Sequence, residues 1–218
     1  MKAVVRSLAA AALLGLAAPA HAALTFTVNL TNGQEPSVTN PTLSDGITPR
    51  PASFGSATFV INDAMTAMTF TATIFNIDVT GMQTTDINDN LLNAHIHAGT
   101  TLSTAGTFPV VWGFFGAPFN DNNPNDAVVT PFASGVGGTF SGKWDAPEGN
   151  GTTFAAQLAN ILGGRAYINF HTVQFPGGEI RGNFVPVPEP ASWATMLLGF
   201  AAIGFSVRAR RRAAPQAA

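Results

Sequence analysis

Three histidines lie beyond residue 22 of this 218-residue sequence: His95, His97 and His171. His95 and His97 stand two apart in Asn93-Ala-His-Ile-His-Ala-Gly99. Residues two apart in a strand project from the same face, so both imidazoles can reach a single ion. In Tyr167-Ile-Asn-Phe-His171 the same alternation puts Tyr167, Asn169 and His171 on one face and Ile168 and Phe170 on the other. If the two strands are neighbours, three imidazoles converge. Three neutral nitrogen ligands with an open position suit Zn²⁺ or Cu²⁺. Histidines that merely hydrogen-bond within a sheet produce the same spacing; convergence of three nitrogens on one point separates the two cases.

Other residues offer less. The chain has no cysteine, which excludes disulfides and thiolate metal sites. Glu179 and Arg181 are spaced for a surface ion pair, with Glu179 also a candidate to orient a histidine or serve as a fourth ligand. Asp86-Ile-Asn-Asp-Asn90 imitates the first ligands of an EF-hand, but Leu91 occupies the position that requires glycine. Asn120–Asp126 reads as a polar turn. No serine or cysteine nucleophile signature and no glycine-rich phosphate loop is present, so no catalytic residue is assigned.

The elements that must position the histidines read as strands. Leu24, Phe26, Val28 and Leu30 alternate with polar residues, as do Ala57, Phe59 and Ile61, and Met68, Phe70, Ala72 and Ile74. Further strands are expected over 93–98, 108–115, 137–144, 166–173 and 179–185, with Pro176-Gly177-Gly178 as the turn joining the last two. Residues 152–162 break the pattern: Phe154, Leu158, Ile161 and Leu162 form a helical stripe that stops at Gly163-Gly164. Residues 34–50, rich in Pro, Ser and Thr, are expected as a long surface loop. The fold class is therefore all-β, an antiparallel Greek-key-like β-sandwich with one short helix.

Charge is segregated along the chain. Residues 1–22 and 208–212 hold six of the ten bases and no acid, whereas the middle sets Arg50, Lys143, Arg165 and Arg181 against all twelve acids. So acidic a domain repels nucleic-acid backbones. Lys2 and Arg6, an apolar run from Leu8 to Ala18, and Ala20-His21-Ala22 make a signal peptide over 1–22, cut by signal peptidase. After a single β domain over 23–185, a tail over 186–218 carries Pro188-Glu189-Pro190, an uncharged stretch from Ala191 to Val207, and arginines from 208 to 212. That stretch is long enough for a short transmembrane helix, with the arginines kept cytoplasmic and the domain outside.

Two resemblances sharpen these expectations. The Pro-Glu-Pro tripeptide, short apolar helix and basic cluster resemble the PEP-CTERM sorting signal of Gram-negative bacteria. This implies transient inner-membrane anchoring, recognition of Pro188, Glu189 and Pro190 by an exosortase-type protease, and delivery to the cell surface or beyond. Ala94-His-Ile-His-Ala-Gly99, with Arg165–Thr172 and Pro176-Gly-Gly-Glu-Ile-Arg-Gly182, resembles the CHRD domain named from chordin. It implies an extracellular β-sandwich in which His95, His97 and His171 match the family's histidine motifs. The H-x-H on a sandwich is also similar to copper/zinc superoxide dismutase, whose paired centre needs more histidines than this chain keeps. The expected role is a surface or extracellular-matrix protein, with extracellular polysaccharide a candidate partner; the alternative is a metal-binding protein or mononuclear metalloenzyme built on the three histidines.

Overall fold

The computed structural model describes residues 23–186, except 37, 39, 104 and 105, and a few positions between 197 and 208. The expected signal peptide lies outside the described residues, as does most of the expected helix over 191–207. Among the described residues no helix is long and apolar enough to cross a membrane.

Among the described residues ten strands follow one another: β1 (Leu24–Thr31), β2 (Phe54–Ile61), β3 (Met68–Phe75), β4 (Leu91–Ala98), β5 (Val110–Phe115), β6 (Val128–Pro131), β7 (Gly137–Trp144), β8 (Ala166–Thr172), β9 (Ile180–Asn183) and β10 (Val185–Pro186). They form one antiparallel sheet in the order β5-β4-β8-β9-β1-β2-β3-β7-β6, with β10 added to β1. The sheet curls so that its two halves face each other. Trp112 of β5 stacks on Trp144 of β7 with ring centres 5.6 Å apart, and Phe114 and Phe170 both meet Phe140. The expected antiparallel all-β fold is thus present, built from a single folded-over sheet.

Period-two alternation explains the first three strands. Phe26, Val28 and Leu30, then Ala57, Phe59 and Ile61, then Met68, Phe70, Ala72 and Ile74, are buried between the halves, while the threonines between them face outward. β1 pairs with β2, and β2 with β3, over eight residues each without a register shift, as expected where one face is buried and register is strongly specified.

Helix α1 (Phe154–Leu162) is capped by Thr153, whose side-chain oxygen accepts from the Ala156 amide. It buries Phe154 and Ile161. Leu162 was expected on the same stripe but is 40% exposed, because the stripe 154, 158, 161 points into the core and 162 lies one step round the helix. The short strand β6 was not expected: Val128 is exposed and Pro131 removes a ladder donor. Residues 34–50 are not wholly a surface loop either. Glu35 and Arg50 are buried, and Arg50 donates to both carboxylate oxygens of Glu179 at 2.7 and 2.6 Å. Glu179 therefore pairs with Arg50 and not, as its spacing suggested, with Arg181.

β4 and β8 carry the site, and both faces are buried over residues 94–98 of β4 and throughout β8. Ala94, Ile96, Ala98, Ala166, Ile168 and Phe170 face the core. On the other face lie His95, His97, Tyr167, Asn169 and His171, also buried. Phe170 is fully buried against Phe114 and Phe140. Phe170→Ala should destabilise the protein by about 3–5 kcal/mol, measured by denaturant unfolding; a loss below about 1 kcal/mol would mean that the two faces of β8 are reversed.

Candidate metal centre

β4 and β8 are antiparallel neighbours, with His95 opposite Asn169, His97 opposite Tyr167 and Asn93 opposite His171. This pairing, which no spacing within either strand could give, brings the three histidines together. One ring nitrogen from each lies within 4.8 Å of the others, and His95 Nδ1 is 3.3 Å from His171 Nε2. Among the described residues these three form the group of His, Cys, Asp or Glu side chains drawn together at ligand distance.

The other nitrogen of each ring faces a backbone carbonyl from a different covering segment. His95 Nε2 donates to the Ala117 carbonyl at 3.1 Å, His97 Nδ1 to that of Phe108 at 2.7 Å, and His171 Nδ1 to that of Pro176 at 2.9 Å. A carbonyl can only accept, so each contact favours the tautomer with its proton there, although His171 Nε2 also faces an acceptor, the Asn169 Oδ1, at 2.9 Å. The nitrogens left bare are then His95 Nδ1, His97 Nε2 and His171 Nε2, of which His95 Nδ1 and His171 Nε2 lie 3.3 Å apart. His97 Nε2 is buried and makes no hydrogen bond. Orientation of an imidazole by a backbone carbonyl is the usual outer support of a metal-ligating histidine.

Close approach of the covering segments depends on missing side chains. A methyl group at Gly113, which pairs with His95 across β4 and β5, would overlap the Pro118 carbonyl and press on His95 Cδ2 at 2.9 Å. Gly178, at φ +126°, sits against Glu35 and Asn169, where a side chain would be both strained and blocked.

Burial also sets the charge state. It pushes His95 down to about 3, helped by the neighbouring His171 and His97. Burial likewise lowers His97 to about 4, against the opposing pull of the Phe108 carbonyl, and holds His171 below the ordinary imidazole range. All three are therefore neutral at pH 7, the form that ligates a metal.

Around them is a stack of three side chains. Tyr167 lies flat on His97, with centroids 4.7 Å apart and planes 5° apart. Arg181 covers the Tyr167 ring with its guanidinium carbon 3.4 Å from the ring centre. The Tyr167 hydroxyl accepts from the Phe108 amide, holding the residue whose carbonyl serves His97. Arg181 is anchored by its bonds to the Ser103 and Gly106 carbonyls. The Glu179 carboxylate is occupied by Arg50, Ser53 and Thr172, so it neither orients a histidine nor joins the group.

The acidic stretches lie elsewhere and are turn scaffolds. Asp78 gathers the amides of Thr80, Gly81, Gln83 and Thr84. Asp121 accepts from the Asp126 and Ala127 amides. Sequence reasoning missed the three carbonyls of Ala117, Phe108 and Pro176, because backbone groups leave no signature in a side-chain motif.

The chain matches the CHRD domain over residues 26–184 and the PEP-CTERM protein-sorting motif over residues 186–212. It therefore belongs to the CHRD domain family. The sorting motif marks it as an exported protein processed by an exosortase at the membrane. No curated protein and no solved structure matches the chain.

The depressed histidines make stability depend on pH. The unfolded chain takes up protons near the ordinary value of 6.5, whereas native His95 and His97 resist until about 3 and about 4. Unfolding is thus increasingly favoured as pH falls from about 6.5 toward 4. Chelator-treated protein should lose more stability between pH 7 and pH 4 than its His95→Asn variant does, by denaturant titration at each pH. Equal losses would contradict a neutral, buried His95.

Proposed function

We propose that this exported protein is a surface or extracellular-matrix binding protein whose CHRD domain holds one transition-metal ion, Zn²⁺ or Cu²⁺, on His95, His97 and His171. The observation that carries the reading is the proton inventory. With each ring hydrogen assigned to the carbonyl it faces, the remaining lone pairs belong to three rings whose ligand atoms lie within 4.8 Å of one another. Three buried lone pairs with no donor among them is an arrangement that costs free energy unless a cation takes them. Imidazole nitrogens suit zinc and copper better than calcium or magnesium, which favour oxygen.

The address segments complete the reading. Signal peptidase removes residues 1–22, the stretch over 191–207 holds the protein at the inner membrane, and an exosortase recognises Pro188, Glu189 and Pro190. Delivery outward places the domain where extracellular polysaccharide is its candidate partner. His95 and His97, lowered by burial to about 3 and about 4, lie below the near-neutral value that suits a general acid or base, which favours binding over catalysis.

Calorimetric titration of metal-free protein at pH 7 tests the reading. Zn²⁺ or Cu²⁺ should bind with one-to-one stoichiometry, and His97→Ala should weaken binding by about 100-fold or more, beyond the loss typical of an outer support. Equal affinity in both proteins, or none in either, would sink the site.

A further inference from the structure

Resting on that reading, we propose that the side-chain oxygen of Asn169 is a fourth ligand, so that the centre is a closed site of three nitrogens and one oxygen with no bound water. Asn169 stands directly across the strand pair from His95 and two residues before His171, at the middle of the group. Its Oδ1 lies 2.9 Å from His171 Nε2. That contact resembles a hydrogen bond but lacks a hydrogen. The His171 proton is on Nδ1, given to the Pro176 carbonyl. Moving it to Nε2 would only set the bare Nδ1 against the Pro176 oxygen instead. With one proton and two acceptors to serve, neutral His171 always keeps one repulsive contact, and a cation bound by both Nε2 and Oδ1 removes it.

The amide is held the right way round by its other end. Asn169 Nδ2 and Glu35 Oε2 both border the space beside Gly178, 2.9 and 2.7 Å from where a side-chain carbon would start. Glu35 Oε2 is buried and makes no hydrogen bond. Burial raises the Glu35 carboxyl above its ordinary range, and the Arg181 guanidinium and the Asn169 amide oppose that shift. Reversing the amide would aim its oxygen at the Glu35 carboxylate, so Oδ1 faces the histidines.

Two of the spacings fit a common ion, while the His97 nitrogen, within 4.8 Å of the others, must close in to share it. With bonds of about 2.0–2.1 Å, neighbouring ligand atoms stand about 2.9 Å apart at a right angle and about 3.4 Å apart at a tetrahedral angle. The Asn169 Oδ1 to His171 Nε2 separation is 2.9 Å, and that from His95 Nδ1 to His171 Nε2 is 3.3 Å. A fourth protein ligand in place of water is what separates a structural centre from a catalytic one. The expected open position is then filled by the protein itself.

Cobalt provides the test, because its visible spectrum reports the ligand set and a metal-bound water ionises near pH 7. Co²⁺-loaded wild-type protein should give a spectrum unchanged between about pH 6 and 9. Asn169→Ala should admit water, acquire a spectral transition in that range and bind Co²⁺ about 10- to 100-fold more weakly. Asn169→Asp, which keeps an oxygen, should stay free of the transition. A pH transition in the wild type overturns the proposal, whether or not the alanine variant folds. Wild-type-like affinity and spectrum in Asn169→Ala, with binding lost in His97→Ala, overturns the fourth ligand and leaves the three-histidine site standing. No Co²⁺ binding by the wild type overturns both.

Discussion

Three neutral imidazoles own three hydrogens, and three backbone carbonyls stand in position to take them. Ala117, Phe108 and Pro176 come from separate segments that fold over the outer face of β4 and β8. A buried carbonyl must find a donor, so the covering segments are fastened to the sheet through the histidines as much as the histidines are oriented by them. Neither arrangement is available to a strand whose outer face is open to water, which would supply donors and acceptors at will. Burial of both faces of β8, from Ala166 to Thr172, is therefore the constraint from which the tautomers, the neutral charge state and the convergence of lone pairs all follow.

The polar layer stays in place because the charges near it are fixed in pairs or stacks. Arg50 and Glu179 form a bidentate pair whose side chains are 3% and 0% exposed. A pair so buried is strongly destabilising to break, by about 3–5 kcal/mol for loss of one partner. It ties the segment leading into β2 to the turn that carries Pro176 and Gly178. On the opposite side, Arg181 lies over Tyr167 and Tyr167 over His97. The guanidinium opposes protonation of His97 while its contacts hold the segment before Phe108. The two arginines thus secure the two segments that supply carbonyls to His171 and His97.

Much of this was legible in the sequence, for identifiable reasons. Strict alternation over Leu24–Leu30, Ala57–Ile61 and Met68–Ile74 reports one buried face, and the structure has strands there. The faces of β4 and β8 could also be read, since period two fixes which side chains share a side. What a single strand cannot report is its neighbour: seventy residues separate His97 from Tyr167, and only the sheet order joins them. Where local pattern was weak or overridden, the expectations failed. β6 is short and carries a proline. Glu179 found Arg50, distant in sequence, because the nearer Arg181 was already stacked on Tyr167. Leu162 continued an apolar run that the helix turned away from the core.

The distribution of protons over the three imidazoles is directly observable by nitrogen NMR. In metal-free protein carrying ¹⁵N-labelled histidine at pH 7, long-range proton–nitrogen correlations should show His95 protonated at Nε2 and His97 and His171 protonated at Nδ1. Addition of one equivalent of Zn²⁺ should shift His95 Nδ1, His97 Nε2 and His171 Nε2 while leaving the protonated nitrogens protonated. A doubly protonated ring at pH 7, Nε2–H on His97, or zinc that shifts none of the three bare nitrogens would contradict the account.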